Sequence, residues 1–184
     1  MKNKKLLLGI AWAWLTCLSA NAEVKLPAFF SDGMVMQQQT RANLWGTATP
    51  DAPVKITTSW DKQTYKTTAD AKGAWKLALS TPSAGGPYTI TFDDGKLTEI
   101  RDILMGELWL CSGQSNMEMP MKGFKNQPVE NSNTDVMNSR NPQLRLFTVK
   151  RSSSFTLKTD VVGTWQEAVP ATVREFSATA YYFG

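Results

Sequence analysis

Between Arg41 and Lys96 the chain repeats one pattern: short runs with strand character, each closed by turn residues. "RANLWGTA" (41–48) is followed by "TPDAP", and "VKITTSW" then alternates apolar and polar residues at period two. "TYKTTAD" leads into "AKGAWKLAL", where Ala71-Lys72-Gly73 is a turn between two runs. "AGGPYTITF" (84–92) ends at "DDGK", whose Asp94-Gly95 is a strong hairpin signal. Side chains alternate across a strand, so this spacing buries one face of each run and leaves the other wet. No helical period competes with it. Residues 23–102 are therefore expected to form an all-β sandwich of the immunoglobulin-like or jelly-roll type. Trp45, Trp60, Trp75 and Tyr88 lie in or beside these runs and are read as core or core-edge residues. A sugar-stacking platform would require two of them to share an exposed face.

The first 22 residues do not belong to this fold. Lys2, Lys4 and Lys5 precede an apolar stretch from Leu6 to Leu18, and Ala20-Asn21-Ala22 forms a small-residue cleavage site. A signal peptide over 1–22 predicts export to the periplasm or outside the cell, with no stable membrane insertion. Three of the 20 basic residues lie in that leader and none of the 16 acidic ones do. The remainder is thus close to neutral, with no cationic run suited to nucleic acid. Of two cysteines only Cys111 lies beyond the leader, so no internal disulfide is available there. One cysteine and no histidine leave no metal constellation, and no cofactor is implied.

After Asp102 the character changes. "ILMGELWLC" (103–111) is an apolar run broken only by Gly106 and Glu107, which predicts a strand buried on both faces, as in a helix-covered parallel sheet. Residues 122–143 are polar and aperiodic, a long loop with a short helix near Val129 to Asn138. "QLRLFTVK" (143–150) alternates as a second strand. "PATVREFSATAYYFG" (170–184) places Val173, Phe176, Ala180 and Phe183 on one face of a single amphipathic helix. Too few strands follow Asp102 to build a covered sheet, so 103–184 reads as the first part of a larger domain.

The apolar run leads into Gly113-Gln114-Ser115-Asn116, a serine on an expected strand-to-helix turn. There its backbone N–H would point at an oxyanion. Met117 stands where a nucleophile elbow needs its second glycine, and Glu118 stands where a Ser-x-x-Lys pair needs its lysine. On spacing alone a serine such as Ser115 is more often a helix cap or turn former than a nucleophile, Ser112 is an equally good capping candidate, and Gln114 or Asn116 could merely satisfy backbone groups. Glu107 and Glu118 are a possible carboxylate pair of unknown separation. Met117, Met119 and Met121 read as packing residues, and Cys111 as a buried thiol.

"GELWLCSGQSNMEMPM" (106–121) resembles the nucleophile block of the sialate O-acetylesterase family, a group of SGNH-hydrolase carbohydrate esterases. "LPAFFSDGMVMQQ" (26–38), "LWGTATPDAPVKI" (44–56), "AKGAWKLALSTPSAGGPYTI" (71–90) and "FSATAYYFG" (176–184) resemble further segments of that family, in the same order. The resemblance implies a β-sandwich accessory domain over 23–102, followed by an incomplete SGNH α/β domain over 103–184. It implies removal of acetyl groups from sugar hydroxyls through a serine acyl-enzyme, the substrate being an O-acetylated sialic acid or plant glycan. Ser115 would be the nucleophile and its N–H an oxyanion donor, with Gln114 and Asn116 as candidate substrate contacts. The family's base is a histidine in a late Asp-x-x-His segment, which this chain lacks. The missing histidine then reads as truncation, and residues 23–184 alone are expected to be inactive. The alternative is a non-catalytic carbohydrate-binding module, in which the tryptophans hold sugar and Ser115 is inert.

Overall fold

The computed structural model describes residues 23–184; the expected signal peptide lies outside the described residues. Seven strands come first: β1 (Val35–Gln37), β2 (Arg41–Thr47), β3 (Pro53–Thr58), β4 (Thr64–Thr68), β5 (Ala74–Ser80), β6 (Gly85–Asp93) and β7 (Leu97–Gly106). Five of them form a mixed sheet in the order β1-β7-β6-β3-β4, while β2 and β5 pair separately. Only the β1–β7 pairing is parallel within that sheet. The period-two reading is what places the core. In β3, Val54, Ile56 and Thr58 turn inward and their neighbours outward. Ile56 sits opposite Phe92 and Thr58 opposite Ile90 on β6. Leu44 of β2 and Leu79 of β5 enter the same buried cluster as Val54, Ile56, Ile90, Phe92 and Ile103, so both sheets close over one core.

The predicted turns are where they were expected. Asp94 and Gly95 join β6 to β7. Ala71-Lys72-Gly73 joins β4 to β5 and carries the chain from the five-stranded sheet to the two-stranded one. Asp70 shapes that corner, its carboxylate accepting from Lys72 N and Ala74 N at 2.8 Å each.

Two expectations are corrected. The strand predicted over 103–111 is instead the end of β7, which runs unbroken through Asp102 and stops at Gly106. Residues 107–114 have no regular secondary structure and are mostly exposed, with Cys111 half-buried rather than buried. The reason is that Leu108, Trp109 and Leu110 have no sheet neighbours among the described residues to bury them. The single helix predicted from Pro170 is two short ones, α3 (Pro170–Val173) and α4 (Ala178–Phe183). Between them the backbone turns to a neighbouring segment: Phe176 O accepts from Met121 N at 2.9 Å, Arg174 O from Lys122 N at 3.0 Å, and Ala178 N donates to Met119 O at 2.8 Å. These bonds replace the helical ones.

The second part of the chain adds α1 (Ser115–Glu118), α2 (Ser132–Met137), β8 (Asn141–Phe147) and β9 (Trp165–Ala168) to α3 and α4. Here the sequence reading of α2 and β8 holds. Met121, Leu146, Ala168, Val173 and Ala178 form a second, smaller core. The two cores meet at a joint. Arg145 of β8 donates to both oxygens of Asp102 on β7, at 2.5 and 3.3 Å, and to Pro142 O at 3.1 Å. Beside it the Trp165 indole donates to Phe29 O at 2.8 Å, and its ring packs against Phe29 and Phe147 at centroid distances of 5.3 and 5.1 Å. No helix among the described residues is long and apolar enough to cross a membrane.

Candidate active site

Ser115 is the first residue of α1, and the turn is closed by the backbone rather than by a cap. Gln114 O accepts from Met117 N at 2.9 Å and from Glu118 N at 3.1 Å, while no side chain caps the helix. The Ser115 hydroxyl is exposed and makes no hydrogen bond among the described residues, and Ser112 is likewise exposed. The capping role open to either serine on spacing alone is thus not taken. The side chains of Gln114 and Asn116 also face solvent.

The short helix is held from one side. Thr179 Oγ1 donates to Asn116 O at 3.0 Å, and Ser177 Oγ lies 3.4 Å from Met117 Sδ. Ser177 also caps α4 by accepting from Ala180 N at 3.2 Å. Glu118 pairs with Arg151 at 2.9 Å, an exposed ion pair. Tyr182 donates to Asp135 on α2 at 2.5 Å, and that carboxylate pushes the phenol up to about 12. Met121 is fully buried, whereas Met117 and Met119 are half-buried.

Beside α1 lies an open cleft of about 1380 Å³ between the two cores. Trp109, Ser112, Gly113, Met117 and Glu118 line it, and Ser115 stands next to these residues without itself lining it. Glu107 and Glu118 do not form a carboxylate pair. Glu107 accepts from the side-chain amides of Gln37 and Gln38, which hold its carboxyl below the usual range, and Glu118 belongs to Arg151. The tryptophans occupy three different settings. Of the three between Arg41 and Lys96, Trp75 is buried, Trp60 meets Tyr88 edge to face at 5.8 Å, and Trp45 is the exposed one, with Phe30 against its ring at 4.6 Å.

Chemically, the site presents an unbonded serine hydroxyl at the start of a helical turn and a cleft for a ligand beside it. It holds no imidazole to take the serine's proton, since the chain has no histidine. The described residues contain no cluster of metal-ligating side chains. Sequence reading missed the Arg145–Asp102 joint, the Arg151–Glu118 pair and the glutamines on Glu107, because partners between about 30 and 70 residues apart leave no local pattern.

No protein-family model matches the chain. Curated relatives do. Human sialate O-acetylesterase is 32% identical over 131 residues, covering 66% of this chain and 25% of that protein. The mouse sialate O-acetylesterase is 31% identical over 141 residues, covering 71% and 25% respectively. The fold agrees: the crystal structure of a carbohydrate acetylesterase from Xanthomonas citri superposes with a TM-score of 0.80 at 33% identity, over 88% of this chain and 36% of that one. The chain belongs to the sialate O-acetylesterase family. It spans about a quarter of the length of the curated sialate O-acetylesterases it matches. Within that family frame the "GELWLCSGQSNMEMPM" block is the segment that leaves β7 and forms α1.

Proposed function

We propose that this chain carries the nucleophile of a serine carbohydrate O-acetylesterase. The observation that carries the reading is the exposed Ser115 hydroxyl, unbonded at the start of α1 and beside the cleft. In this reading Ser115 Oγ attacks the acetyl carbonyl of an O-acetylated sugar. The sugar hydroxyl leaves with the serine's proton, and water then releases acetate from the acyl-serine. The Ser115 N–H, at a helix start with no intrahelical partner, is an oxyanion donor, and Gln114 and Asn116 flank the sugar.

The serine's proton must pass through a base; the family resemblance implies a histidine of an Asp-x-x-His segment for that role, and these 184 residues contain no histidine. We accordingly read the first seven strands as a β-sandwich accessory domain and residues from Glu107 as the start of an SGNH domain whose remaining strands would cover Leu108, Trp109 and Leu110. In this reading the boundary expected at Asp102 falls a few residues later, after β7. The leader at 1–22 supports export, so the substrate would be a periplasmic or extracellular acetylated glycan.

The test is acetate release from acetylated sialic acid and acetylated xylan by the chain expressed with whatever coding sequence follows codon 184. The expected result is hydrolysis that Ser115→Ala lowers by at least about a thousandfold, with the fold retained. Hydrolysis at full rate in Ser115→Ala would end the proposal.

A further inference from the structure

The segment carrying Ser115 leaves the first sheet at Gly106, and the next residue is gripped from two sides. Gln37 Nε2 donates to Glu107 Oε2 at 3.0 Å, and Gln38 Nε2 donates to Glu107 Oε1 at 2.8 Å. Each glutamine turns its oxygen the other way, to a backbone donor: Gln37 Oε1 accepts from Leu108 N at 2.9 Å, and Gln38 Oε1 from Ala84 N at 2.7 Å. The amide orientations follow from chemistry, because an ionised carboxylate only accepts and a backbone N–H only donates. Behind them Gln38 N donates to Gly106 O at 2.9 Å, and the buried Thr81 hydroxyl lies 2.7 Å from Gln37 O. The end of β1, the loop at Ala84 and the exit of β7 are thereby tied to one side chain.

We propose that Gln37, Gln38 and Glu107 form a clasp, with Glu107 the positioning residue for the segment that presents Ser115. Its catalytic meaning rests on the reading of Ser115 as the nucleophile. The segment needs such an anchor. From Trp109 to Gly113 no backbone group bonds to another part of the described chain, so its path is set by the clasp at one end, by α1 at the other and by the Trp109 ring, which meets Phe183 of α4 edge to face at 5.1 Å.

The donor and acceptor count makes the proposal specific. In Glu107→Gln the new side chain offers one acceptor and one N–H₂ where two glutamine N–H₂ groups converge. One glutamine must lose its partner or flip, and flipping breaks its bond to Leu108 N or Ala84 N. Adding Gln37→Glu restores every bond. The carboxylate introduced at position 37 then accepts from Leu108 N and from the amide introduced at position 107. The oxygen of that amide accepts in turn from Gln38.

The 184-residue chain is compared as wild type, Glu107→Gln and the Gln37→Glu/Glu107→Gln pair. Amide exchange at Leu108 and Ala84 is read by NMR, and alkylation of the half-buried Cys111 by peptide-resolved mass spectrometry. Glu107→Gln should raise exchange at one or both amides about tenfold and speed Cys111 alkylation about threefold, and the pair should return both to within about twofold of wild type. Because Glu107 is exposed, all three should melt within a few degrees of one another. Unchanged exchange in Glu107→Gln overturns the clasp. So does a double variant no better than the single. Faster exchange without faster alkylation overturns the positioning role. None of these readouts depends on hydrolysis, so failure of the esterase reading would show separately.

Discussion

Arg145 is the charge most withdrawn from water at the joint, its side chain 6% exposed against 45% for Asp102. A guanidinium so placed needs its carboxylate, with Glu167 at 3.7 Å only a weak substitute. Asp102→Ala should cost about 2 to 3 kcal/mol in urea unfolding, the lower end for a buried pair because Asp102 is half-exposed. Asp102→Asn should cost less. The same joint explains Gly33, which sits over the guanidinium at φ +78, where an added Cβ would lie 3.2 Å from Arg145 Nη1. Gly33→Ala should destabilise by about 1 to 2 kcal/mol, read by the same titration. Tyr182 makes a different kind of prediction. Its folded-state pKa of about 12 exceeds that of a free phenol, because the neutral hydroxyl donates to Asp135. A raised pKa means the folded state holds the proton more tightly, so this contribution is intact below pH about 10 and is lost between about 10 and 12. Tyr182→Phe should flatten the fall in stability across that window, measured by thermal unfolding against pH.

Among the elements, α4 shows local and tertiary forces in competition. Its apolar spacing continues that of α3, and a helix through Glu175 would have satisfied its own backbone. The bonds from Met119, Met121 and Lys122 to 174–178 win, since they also bring Met121 under Val173 and Ala178. Ser177 then has to start a new helix, which it does by accepting from Ala180 N. Ser177→Ala should cost about 1 kcal/mol of stability and loosen α1, seen as faster amide exchange at Met117 and Glu118. The strands were far more legible than the helices. Period-two alternation in 53–58 and the turns at 71–73 and 94–95 are local signals, each read from fewer than about ten residues. The run at 103–111 misled because apolar character alone does not reveal whether a neighbouring strand exists to cover it.

At the scale of the whole molecule, two cores are joined by the bare segment 107–114 and by the Arg145, Asp102 and Trp165 contacts. A protease cut within 107–114 should therefore leave both pieces associated on gel filtration, and Asp102→Ala should weaken that association. Free separation of the wild-type pieces would mean the joint is not what holds them. The 184 residues alone should release no acetate above a buffer control, because the proposed reaction needs an imidazole base and they contain no histidine. By itself the sequence determined the strand and turn succession of the first core, the serine block and its family, and the lack of any histidine. All of these are properties of residue type and short-range order. Only the tertiary structure decided that β7 ends at Gly106, that Ser115 stays unbonded, and which partners hold Glu107, Glu118 and Arg145. Those outcomes depend on groups distant in sequence that meet once the cores close, and no local pattern encodes such meetings.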